Sequence, residues 1–187
     1  MKSLLKVMKK KNSGIPEDTL SVFEGIIKKY EALGGPSLGP ECDAEFTAAM
    51  RKLLSKEQRY LIYGQYGACM GTGYDKGRAA FAQAHAEMPF AERFKLFTET
   101  QGKNAALNSD GTITVIFGCS HGYYKSVRDG KTKTLPENIE SYFEGCAGGR
   151  LHEYEKTLGV KLKIKSVDIS ALYDNMLAPV TFVFEPA

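Results

Sequence analysis

The hydrophobic period of this chain changes once, at Asp110-Gly111, and that change limits the fold more than any other feature. Before it, apolar residues recur at helical spacing. After it, they alternate along the chain, as in a half-buried strand. A helical N-terminal half followed by a small antiparallel β-sheet packed against helices is therefore expected, an α+β architecture. The length of 187 residues suits one compact domain with room for a helical appendage. The turn-rich link PSLGPE marks the internal boundary, dividing residues 1–40, an N-terminal helical segment, from residues 41–187, an α+β domain.

About six helices are expected before residue 105. Residues 2–11 form a short one, with Leu4, Leu5 and Met8 on one side and five lysines around them. Pro16, Glu17 and Asp18 suit the first turn of a second helix, which Gly34-Gly35-Pro36 stops. Asp43 can cap a third, and Ser55-Lys56-Glu57-Gln58 reads as a capping box opening a fourth. An Ala-rich helix around Phe81 follows, then one starting at Pro89 with Phe90, Phe94 and Phe97 facing inward.

After the change of period, Ile113, Val115 and Phe117 form one row of a strand. If the strand stays extended, Cys119 and His121 continue that row. Arg128-Asp129-Gly130-Lys131 reads as a hairpin turn or, given its polar flanks, a mobile loop, and Leu135-Pro136-Glu137 opens a helix that Gly145, Gly148 and Gly149 interrupt before it resumes at Leu151. In VKLKIKSVDIS a lysine face opposes Val160, Leu162 and Ile164. Val167 and Ile169 then change parity, which predicts a bulge near Ser166. In the last strand Val180, Phe182 and Phe184 turn inward.

Composition narrows the functional classes. The net charge of +3 owes much to terminal lysines rather than to a basic face interleaved with aromatics, so no nucleic acid is expected as a partner. No apolar run approaches the roughly 18 residues of a membrane span, so no membrane is expected either. Four cysteines without an export signal point to reduced thiols in the cytoplasm. The expected partner is a small-molecule ligand or substrate, with no cofactor, and a homodimer is compatible with the sequence.

The chemistry concentrates between Gly111 and His152, which hold two of the four cysteines and two of the three histidines. On a strand, Cys119 and His121 share a face, the arrangement of a thiol nucleophile and its base. The plainer reading is a small buried cysteine ending a strand beside a turn histidine. Cys146 stands in EGCAGGR. If the helix restarts there, free amides favour a thiolate, Gly148 and Gly149 admit a ligand, and Arg150, one turn on, pairs with a carboxylate. The plainer reading is a glycine-lined helix crossing. A third option is a metal held by Cys119, His121, Cys146 and His152, with Cys69 standing in for one of them. The absence of Cys-x-x-Cys and His-x-x-x-His spacing leaves that option without a motif. Cys42 and Cys69 read as structural, and His85 as a surface or packing residue. Glu137, Glu140 and Glu144 read as an exposed helix face.

The order DGTITVIFGC, a polar link, YFEGCAGGRLHEYEKTLGVKLKIKSV and PVTFVFE resembles L-2-amino-thiazoline-4-carboxylate hydrolase-like proteins over about residues 45–187. The resemblance implies hydrolysis of a carbon–nitrogen bond in a small cyclic amidine-like substrate bearing a carboxylate, with Cys119 and Cys146 carried over. The same tail also resembles the 4-vinyl reductase-type domain, which implies a non-enzymatic small-molecule-binding or sensor role. Shared fold alone does not choose between them.

Overall fold

The computed structural model describes residues 1–34, 38–66 and 72–187. The architecture is α+β, with helices in the N-terminal half and an antiparallel sheet built mainly from the C-terminal half. Six α-helices come first: α1 (Lys2–Met8), α2 (Glu17–Ala32), α3 (Gly39–Leu53), α4 (Lys56–Tyr66), α5 (Asp75–Ala84) and α6 (Phe90–Thr100). Then follow β1 (Ala105–Leu107), β2 (Ile113–Phe117), α7 (Gly122–Arg128), α8 (Ile139–Leu158), β3 (Leu162–Asp168), α9 (Ala171–Asp174) and β4 (Val180–Pro186). The sheet runs in the order β1-β2-β4-β3 with every pairing antiparallel. Among the described residues no helix is long and apolar enough to cross a membrane.

One face of the sheet is the main core. Ile113, Val115 and Phe117 of β2 and Val180, Phe182 and Phe184 of β4 are buried in the alternating row that the period predicts. They pack on α8 through Phe143, Leu151, Tyr154 and Leu158. Lys161, Lys163 and Lys165 lie on the opposite, exposed side. The expected bulge is present: pairing passes from Ile164 opposite Phe184 to Ser166 opposite Val183. The extra residue, Lys165, lets Val167 return to the buried face.

A second core gathers α1 to α4 around Phe23, Phe46, Met50, Ile62 and Met8. Helix α4 belongs to both. Its Ile62 and Tyr63 face this helical cluster, while Tyr60 reaches the sheet and accepts the Val167 N–H at 3.0 Å. The Ser55–Gln58 box closes as expected at the start of α4: Gln58 N–H donates to Ser55 Oγ at 3.2 Å, and Ser55 N–H to Gln58 Oε1 at 3.0 Å.

Several elements differ from the sequence expectations. Helix α3 begins at Gly39, so Asp43 is inside it, and Cys42 is a fully buried helical residue rather than part of a loop. Pro40 in the first turn is the start signal, since it has no N–H to leave unpaired there. The short edge strand β1 was not anticipated, because Ala-Ala-Leu has little β-preference. Arg128–Lys131 is no hairpin. Gly130, at φ 69°, follows the end of α7, where a left-handed glycine ends a helix much as it would close a hairpin. The Gly34-Gly35-Pro36 stop falls partly outside the described residues, although Gly34 itself has φ 71° just after α2.

Candidate functional site

Helix α8 is unbroken from Ile139 to Leu158. Gly145, Gly148 and Gly149 do not interrupt it, so Cys146 lies in its middle and gains nothing from a helix N-terminus. The reason is a close approach of α4. A Cβ on Gly148 would stand 2.1 Å from the Tyr63 carbonyl oxygen, and one on Gly64 would stand 2.9 Å from Leu151 Cδ2. Tertiary packing thus offsets the roughly 1 kcal/mol helix penalty of each glycine. Gly148 and Gly149 are buried and do not line a ligand space next to Cys146. They serve the helix crossing.

A continuous α8 places Tyr142, Cys146 and Arg150 at successive i, i+4 positions on one stripe. That stripe borders a cavity of about 530 Å³, which Cys119 and His121 also line. These two side chains do not extend the buried row of β2. The strand ends at Phe117, the backbone bends at Ser120 and His121, and His121 becomes the residue preceding α7. His121 is exposed and Cys119 half-buried. Gly122 makes the turn with φ 55°, and a Cβ there would meet the Tyr142 hydroxyl oxygen at 2.1 Å. A side chain at 122 would therefore be excluded both by backbone conformation and by Tyr142.

The polar contacts assign the groups to different tasks. Cys119 Sγ accepts the backbone N–H of His121 at 3.4 Å. The His121 ring instead engages Ser120 Oγ through Nδ1 at 2.9 Å. Tyr142 accepts the Tyr123 N–H at 3.1 Å and stands within interaction range of the Cys146 thiol. Burial pushes the Tyr142 hydroxyl up to about 12, so it is a neutral donor at physiological pH. Arg150 lies over the Phe117 ring at 5.1 Å and donates to Glu153 at 2.5 Å. Phe117 is itself part of the cavity wall.

Sequence reasoning missed other parts of this wall. Tyr142, which no motif singled out, is 37% exposed, and Asp43, expected as a cap, lines the cavity from α3. The 142–146–150 spacing was a visible signal, but it has meaning only on an unbroken helix. Leu4 of α1, Thr47 of α3 and Tyr63 of α4 complete the wall from elements distant in sequence. No local pattern reports such neighbours.

The remaining candidates lie elsewhere. His152 Nε2 donates to the Asp75 carboxylate of α5 at 3.0 Å, on a different side of α8 from Cys146. His85 holds the Phe81 carbonyl at 2.9 Å at the end of α5, and Cys42 is core. Cys69 lies outside the described residues. Among the described residues no three metal-ligating side chains come together. Glu144, expected on an exposed face, is completely buried beside Arg59.

Glu153 anchors the open end of the stripe. Burial opposes its ionisation, but Arg150 and Lys103 together outweigh that effect and hold its carboxyl below the usual glutamate range. A carboxylate with a lowered folded pKa contributes stability above its unfolded value, and that contribution is lost as pH falls through the folded value. Glu153→Gln is therefore expected to be less stable than the parent above about pH 4.3, the unfolded glutamate range. Urea denaturation on descending pH should show the difference shrinking; a difference independent of pH would contradict this role.

No family model, curated protein or solved structure matches the chain. The two family resemblances consequently rest on the order of segments alone.

Proposed function

We propose that the cavity binds a small molecule carrying a carboxylate, and that it serves to hydrolyse a carbon–nitrogen bond. One observation carries the reading: Cys119 and His121 from the end of β2 and Cys146 and Arg150 from α8 border the same cavity. Arg150 is the carboxylate anchor, a role suited to its planar fork of donors. Asp43, also in the cavity wall, supplies a negative partner for a cationic amidine. The apolar body of the ligand then lies against Phe117, Tyr63 and Leu4.

In the chemistry that this arrangement supports, Cys119 gives its proton to His121, and the sulfur adds to the amidine carbon. The C–N bond breaks as His121 passes that proton to the departing nitrogen. Water, deprotonated by the same ring, then displaces the sulfur and completes hydrolysis. The His121 ring must turn from Ser120 Oγ to take part, and catalytic contacts often tighten only when substrate binds.

Alkylation with iodoacetamide tests the reading. Cys119 is expected to react at least about tenfold faster than the buried Cys42 and Cys146, since exposure and thiolate access govern the rate. A cyclic amidine carboxylate, 2-amino-thiazoline-4-carboxylate, should protect it, and the methyl ester should not. Uniformly slow alkylation without protection would overturn the proposal.

The second reading is a non-enzymatic ligand-binding or sensor module. It is favoured by one observation, the attachment of the His121 ring to Ser120 rather than to a sulfur. Protection of Cys119 by the amidine with no product formed would select this reading over hydrolysis.

A further inference from the structure

We propose that a second cavity, sharing the Arg150 wall but not the thiols, binds a small organic anion with a flat apolar body. This cavity has a volume of about 530 Å³ and lies between α5, α6 and α8. Arg78, Lys103 and Arg150 line it, with Phe81, Phe97 and the buried Glu153. A neighbouring space of about 390 Å³ shares Lys103 and Arg150 and is walled by Tyr154.

The charge balance leaves the site cationic. Lys103 donates to Glu153 Oε1 at 2.9 Å and Arg150 to Oε2 at 2.5 Å, so one carboxylate serves two cations. Arg78 pairs with Asp75 at 2.8 Å, and Asp75 also meets His152. Three cations thus face two carboxylates, which leaves one positive charge before any contribution from His152.

Donor capacity is also in excess. Arg150 has five N–H groups, and its hydrogen bond among the described residues is the one to Glu153. Tyr154, completely buried in the adjoining wall, has a hydroxyl with no hydrogen-bond partner among the described residues. Phe81 and Phe97, 6.3 Å apart and edge-on, provide the apolar side, and Tyr74 lies over Arg78 at 5.7 Å. A carboxylate or phosphate on an aromatic ring matches this combination of donors and rings.

The test is a titration of the full chain with benzoate, phenyl phosphate and neutral benzyl alcohol, followed by amide NMR. At least one anion is expected to shift resonances around Lys103 and Gln101 saturably, and benzyl alcohol is not. The anion that binds identifies the carboxylate or phosphate class. Lys103→Gln and Arg78→Gln should each weaken binding about tenfold, the effect of losing one charge-assisted hydrogen bond. Lys103→Arg should retain it, and Glu153 keeps Arg150 as partner in every variant. Equal binding by the alcohol, no saturable shift, or unchanged affinity in both Gln variants would overturn the proposal. So would protection of Cys119 from iodoacetamide by the same anion with the same concentration dependence as the Lys103 and Gln101 shifts, because one ligand in the thiol cavity would then account for both. Neither Lys103 nor Arg78 lines that cavity, so hydrolysis can fail while this site stands.

Discussion

Replacing Arg59 by methionine is expected to lower the unfolding free energy by about 3–5 kcal/mol, the cost of leaving a buried charge without its partner. Arg59 Nε donates to both Glu144 oxygens at 3.1 and 3.0 Å, and Nη2 donates to Oε1 at 2.8 Å. Its Nη1 holds the Leu54 carbonyl at 3.3 Å, at the end of α3. Glu144 is 0% exposed, so water cannot take over when the guanidinium is removed. Burial already pushes its carboxyl upward against the pull of Arg59. Without Arg59 that upward shift grows, and the folded state takes up a proton that the unfolded state has released. The penalty should therefore be smallest at low pH, where Glu144 keeps its proton in both proteins, and grow as pH rises above the already raised folded value of the parent's Glu144. Adding Glu144→Leu to Arg59→Met should restore most of the loss, since an apolar pair can replace a buried ion pair at little cost. Urea denaturation of the single and double variants decides. A loss below about 1 kcal/mol would place the pair with exposed salt bridges and contradict the burial argument.

Gly148→Ala is expected to cost at least about 1–3 kcal/mol through overpacking and to alter the thiol cavity as well. The new methyl would stand 2.1 Å from the Tyr63 carbonyl oxygen and 2.6 Å from its carbon. Both are backbone atoms, so no rotamer change relieves the clash, and α4 must move away from α8. Tyr63 lines the cavity that Cys146 borders, so displacement of α4 should speed alkylation of this buried thiol. The control is Gly25→Ala, on an exposed face of α2, where a Cβ meets nothing within 4 Å. There the substitution should stabilise by up to about 1 kcal/mol through helix propensity. If Gly148→Ala is as stable as the control and Cys146 reacts no faster, the close crossing does not shape the cavity.

The same crossing explains why the middle of the chain was hard to read. Three glycines in five residues lower local helix preference, so EGCAGGR reads as an interruption. The helix persists because its glycines admit the α4 backbone, a partner some 85 positions away in sequence. Reading a break there hid the alignment of Tyr142, Cys146 and Arg150. It also made Glu144 look solvated, when its partner is Arg59. The turn after Phe117 was similarly hidden. Alternation predicted the strand, but the Gly122 backbone and the Tyr142 hydroxyl decide where Cys119 and His121 go.

What the sequence determined by itself was therefore local and periodic. It carried the helical half, the inward rows of β2 and β4, the lysine face of β3, the bulge near Ser166 and the capping box of α4. Each follows from repeat geometry or from contacts within a few residues. Only the tertiary structure decided that α8 is continuous, that Glu144 is buried, and that two separate segments border one cavity. Those outcomes depend on which helix faces approach most closely, and close approach is settled by long-range packing.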